Sequence, residues 1–110
     1  MYKKYRNFNV ISNEKYKIII DDYGDSCSEY NGLMVNSYKM TSELKQRINC
    51  FIRNVKTKKI IDTKENAKVS FAPDKAKFIK IENNFKIKEI VSLDPNKPIE
   101  IRRLEIDTLG

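Results

Sequence analysis

The chain has 110 residues, of which 40% are hydrophobic and 34% charged, and it carries a net charge of +7. A chain of this length supports one core and a shallow groove but no deep cofactor cavity, so one domain over residues 1–110, with no linker and no cofactor, is expected. It contains no histidine, which excludes imidazole bases, His-paired nucleophiles and His metal ligands.

The N-terminal stretch MYKKYRNFNVI begins with positive charge but lacks the apolar run of a signal peptide. The longest aliphatic run, Ile18 to Ile20, falls far short of a membrane-spanning segment. Cys27 and Cys50 do not form a CxxC pair, so two reduced thiols and a cytoplasmic location are expected, with no membrane partner.

Phe8 to Ser12 and Tyr16 to Asp21 are β-branched or aromatic runs separated by Asn13-Glu14-Lys15, the pattern of a hairpin. Residues 21–32 (DDYGDSCSEYNG) concentrate turn formers and predict an acidic surface loop. Leu33 to Tyr38 is a short candidate strand. Thr41-Ser42-Glu43 then offers an N-cap, followed by Leu44, Ile48, Phe51, Ile52 and Val55 along one helical stripe. The spacing predicts an amphipathic helix over about 42–54, with Arg47 and Arg53 on its basic outer face. A hairpin competes with it, using Arg47 to Val55 and Lys59 to Thr63 as strands.

Lys68 to Ala72 reads as a strand stopped by Pro73. Lys77 to Val91 reads as a hairpin. A two-residue Asn83-Asn84 loop would set Ile81 against Lys86 and Ile79 against Lys88, mixing core and solvent on both faces, so the apolar pattern selects a longer loop. A loop of Glu82-Asn83-Asn84 would set Ile81 against Phe85, Ile79 against Ile87 and Lys77 against Glu89. That register gathers Phe78, Lys80, Lys86 and Lys88 on the opposite face. Ile99 and Ile101 then give way to Leu104 and Ile106 across Arg102-Arg103, a change of phase that predicts a β-bulge. The expected fold is therefore α+β: an antiparallel sheet or partly closed barrel carrying one amphipathic helix.

Charge is unevenly distributed. Residues 21–38 hold four acids and no base, whereas residues 39–88 hold fourteen Lys/Arg against five acids. A basic block favours polyanions, or an acidic protein surface, through long-range attraction and counterion release. The expected function is a non-catalytic module that binds nucleic acid through Phe78, Lys80, Lys86, Lys88, Arg47 and Arg53, the ring stacking on bases and the cations meeting phosphates. The alternative is a small inhibitor or adaptor of phage or mobile-element type that docks on a host protein.

Neither catalytic residues nor a metal site are expected. The acids Asp21, Asp22, Asp25 and Glu29 lack EF-hand spacing. Asp21 or Asp22 with Asp62-Thr63-Lys64 resembles the acid and D/E-x-K unit of restriction-endonuclease-like nucleases. That resemblance implies a metal-dependent nuclease, but the proposed helix would separate strands that such a site needs as neighbours.

Overall fold

The computed structural model describes residues 7–34, 50–82 and 84–109. These residues are all β, with no helix among them. The described residues form ten strands in three antiparallel sheets. The first sheet runs β1 (Phe8–Ser12), β2 (Tyr16–Asp21), β3 (Ser26–Tyr30) and β4 (Leu33–Met34), each beside its chain neighbour. A small hairpin pairs β5 (Phe51–Arg53) with β6 (Ile60–Asp62). The second large sheet contains β7 (Lys68–Ala72), β8 (Lys75–Glu82), β9 (Phe85–Leu93) and β10 (Glu100–Thr108), in the order β10-β9-β8-β7.

Alternation sets the packing of the first sheet. Tyr16, Ile18 and Ile20 share one parity of β2, all are buried, and Ile11 stands opposite Ile18. They pack against Ala76, Phe78 and Val91 of the second sheet, with Val69, Phe71 and Leu93 at the margin. Burying one such aliphatic side chain is worth about 1.5–3 kcal/mol, so this cluster is the main apolar bond between the sheets. Two asparagines pin the edges of the sandwich. Asn9 donates to the carbonyls of Ala72 and Lys75, and Asn13 to those of Asp94 and Lys97, at 2.8–3.0 Å.

The α+β expectation is therefore corrected to an open all-β arrangement. Of the proposed helix, 42–49 lies outside the described residues, while Phe51–Arg53 is extended and pairs with Ile60–Asp62. The turn between them explains the choice. Asn54 accepts the backbone N–H groups of Lys56 and Thr57 on its side-chain oxygen, and Lys58 adopts a positive φ of 63°. An Asx turn of this kind closes a hairpin and competes with helix formation.

Three further expectations change. The acidic segment is not a surface loop: Asp21 and Asp25 are 0% exposed, and Ser26–Tyr30 is strand. β10 is regular from Glu100 opposite Leu93 to Thr108 opposite Phe85, so no bulge interrupts it. The change of phase instead sends Ile101 to one face and Leu104 and Ile106 to the other. Between β8 and β9 the pairing is Glu82 with Phe85, Ile81 with Lys86 and Ile79 with Lys88, one residue away from the apolar match. Among the described residues no helix is long and apolar enough to cross a membrane.

Candidate functional site

That one-residue difference in register redistributes the residues expected to bind nucleic acid. Phe78 lies opposite Glu89 and is 0% exposed, so its ring is core and offers no stacking surface. Lys80 shares its inward parity and donates to the backbone carbonyls of Asp62 and Glu65 at 3.1 and 2.8 Å. Lys86 and Lys88 stand on the opposite face, opposite Ile81 and Ile79. Arg53 is exposed on β5, and Arg47 lies outside the described residues. The common basic and aromatic face does not form.

What the inward parity of the second sheet gathers is a chain of ionic and polar groups. Ile87, Glu89 and Val91 alternate with their neighbours on β9 and are all buried. Glu89 Oε2 lies 2.6 Å from Lys64 Nζ, with the two side chains 3% and 0% exposed. Its Oε1 accepts the Thr63 hydroxyl at 2.9 Å. Arg102, on β10, reaches Glu89 Oε2 at 3.7 Å with one nitrogen and Glu100 Oε1 at 3.3 Å with the other. Glu100 Oε2 in turn accepts the hydroxyls of Tyr16 and Ser28 at 2.5 and 2.6 Å. The chain therefore crosses from β2 and β3 to β10, and along the second sheet to the segment after β6.

Its charges alternate: Glu100, Arg102, Glu89, Lys64. Bringing an ion out of water costs several kcal/mol, and only close opposite charges with hydrogen bonds offset that cost. Here each carboxylate has a cation beside it. The Lys64 ammonium also lies 5.8 Å from the centroid of the Phe78 ring, a cation–π distance. Burial, followed by the Glu100 carboxylate, raises the pKa of the Tyr16 hydroxyl and keeps it a donor. Burial likewise pushes the Cys27 thiol up; Cys27 and Cys50 are both free.

The acidic turn packs on the same Lys64. A Cβ on Gly24 would sit 2.4 Å from Lys64 Cδ, and Gly24 has a φ of +93°, so only glycine fits this crossing. Asp21 accepts the backbone N–H groups of Tyr23 and Asp25, each at 2.9 Å. Asp62 accepts the N–H of Lys64 at 2.9 Å. The acid and D-x-K segments do approach one another, and the Lys64 amine lies 2.6 Å from Glu89, buried beneath them. Among the described residues no group of three or more His, Cys, Asp or Glu is placed to hold a metal ion.

Composition and charge runs do not point to Glu89, Lys64, Arg102, Glu100 or Tyr16. The signal for Glu89 is parity: it shares the inward positions of Ile87 and Val91, and a carboxylate there demands a buried cation. Outside this seam, an open groove of about 910 Å³ runs along the ends of the sheets, with Ile11, Asn13, Asp74, Asp94, Asn96 and Arg103 among its lining.

The model of the glycosyl hydrolase 94, supersandwich domain, matches residues 2–110. No curated protein matches the chain, and no solved structure does.

Proposed function

The chain belongs to the glycosyl hydrolase 94 supersandwich-domain family, and from that premise we propose that it is a non-catalytic β-domain associated with a carbohydrate-active enzyme. Its role in this reading is to supply a rigid two-sheet body, not to break the glycosidic bond. Family membership replaces both the nucleic-acid module and the phage-type inhibitor as the account of this chain. The lysines need neither: Lys86 and Lys88 interleave with Ile79 and Ile81 on a face opposite the core, as solvated charges commonly do.

One observation supports the non-catalytic reading above the rest. Glycoside hydrolysis uses two carboxyl groups that flank a substrate bond. Glu89 is instead buried against Lys64, and Glu100 is engaged by Tyr16, Ser28 and Arg102. The free thiols of Cys27 and Cys50 support a reducing compartment, the cytoplasm. The test is to incubate the folded chain with a panel of oligosaccharides and to follow release of reducing ends. No release is expected. Release that disappears in Glu89→Gln or Glu100→Gln, with the variants still folded, would overturn the proposal.

A further inference from the structure

Among the described residues, β10 forms an outer edge of the second sheet with an unusual combination of properties. β10 is nine residues long, regular and without proline, and among the described residues no strand lies beyond it. Ile101, Leu104 and Ile106 are 43%, 39% and 49% exposed. An exposed apolar edge of this kind is a template for another strand.

Its hydrogen-bonding phase can be read from its two ends. Leu109 donates to the Asn84 carbonyl at 2.6 Å, and Asp94 donates to the Ile99 carbonyl at 3.0 Å. Odd-numbered positions of this strand therefore bond inward to β9, and Glu100, Arg102, Leu104, Ile106 and Thr108 point their N–H and C=O groups outward. Antiparallel pairing with a second copy must set outward residues opposite outward residues, which confines the two-fold axis to single residue positions. Axes through Arg102, Arg103 or Glu105 bring each of those charges against itself, and an axis through Ile106 sets Glu105 against Asp107. The axis through Leu104 places Leu104 against itself, Arg103 against Glu105, Arg102 against Ile106 and Ile101 against Asp107, with no like charges opposed.

We propose that β10 is a self-complementary edge through which two copies of this chain pair antiparallel about Leu104, joining their second sheets into one. The Arg103–Glu105 contacts fall in the non-hydrogen-bonded positions, where side chains approach most closely, and the symmetry makes two of them. The same charges oppose the registers centred on Arg102, Arg103, Glu105 and Ile106, and an axis through Ile101 pairs little more than Glu100 to Arg102, so the full-length overlap is confined to this register. A single-strand edge buries less than a standard interface, so the association is expected to be weak and to depend on concentration.

Sedimentation velocity of the whole chain over a range of concentrations tests the proposal. Wild type is expected to dimerise. Leu104→Pro should be monomeric and still folded, because the N–H that it removes points away from β9. Arg103→Glu should weaken association by about tenfold or more, as like charges replace both ion pairs, and Arg103→Glu with Glu105→Arg should recover it. A wild type that stays monomeric at high concentration would overturn the proposal, as would a folded Leu104→Pro variant that dimerises normally. If Leu104→Pro fails to fold, the surface variant Arg103→Glu decides: unchanged dimerisation contradicts the register.

Discussion

The two large sheets present their inner faces to the same interior but fill them differently. The first contributes Ile11, Ile18 and Ile20, an aliphatic face, with Tyr16 and Ser28 donating to Glu100 beside it. The second contributes Phe78 and Val91 over one part and Lys80, Glu89 and Arg102 over the rest. An apolar face tolerates approximate partners, because hydrophobic attraction has no direction. An ionic face does not: each charge must meet its opposite within a few ångströms or destabilise the fold. The second sheet is therefore the part of the molecule that fixes where the chain after β6 must lie.

The sharpest break in this contrast comes from the ionic side. Glu89→Ala should lose about 3–5 kcal/mol in urea unfolding, because the Lys64 ammonium keeps its burial without this carboxylate. On the apolar side, Ile18→Ala should lose about 2–4 kcal/mol through lost burial and a cavity. Gly24→Ala should lose about 1–3 kcal/mol, since both the positive φ and the Lys64 stem oppose a Cβ.

Tyr16 sharpens the comparison through pH, because it belongs to the first sheet but donates to Glu100 of the second. Its pKa is raised above the ordinary value of 10.0, chiefly by burial. The unfolded state then loses its tyrosine proton first as pH rises. The contribution is whole below the unfolded value and is lost as pH climbs through the folded one. Urea unfolding between about pH 9 and about pH 11 should therefore show wild type weakening relative to Tyr16→Phe. The smallest effects belong to the outer face: Lys86→Ala and Lys88→Ala should each change stability by no more than about 0.5 kcal/mol.

The same difference decides what the sequence makes legible. The β1–β2 hairpin is readable at both strands, because two β-branched and aromatic runs, Phe8 to Ser12 and Tyr16 to Asp21, flank the polar Asn13-Glu14-Lys15. Lys68–Ala72 is likewise marked by the proline that follows it. The Asn31-Gly32 pair, both at positive φ, is a strong hairpin signal between Tyr30 and Leu33 inside a segment whose composition reads as loop. The β8–β9 register is hidden for a physical reason. Matching apolar with apolar sets Ile79 opposite Ile87, whereas the structure sets Ile79 opposite Lys88 and places Phe78 beside Glu89 on the inner face. Lys64 and Arg102 supply the opposite charges and Thr63 a hydrogen bond that stabilise that arrangement, and none of them is near Glu89 in sequence. The hairpin from 51 to 62 shows a related limit, since an apolar stripe at helical spacing coexists with an Asn54 turn that closes strands.

A double-mutant cycle on Lys64 and Glu89 tests most directly whether this ionic seam, and not apolar alternation, fixes the second sheet. Unfolding free energies would be measured for Lys64→Met, Glu89→Leu and the pair together. The account predicts that each single change loses about 3–5 kcal/mol, while the double variant, with both charges gone, returns to within about 1–2 kcal/mol of wild type. Losses that simply add in the double variant would contradict it.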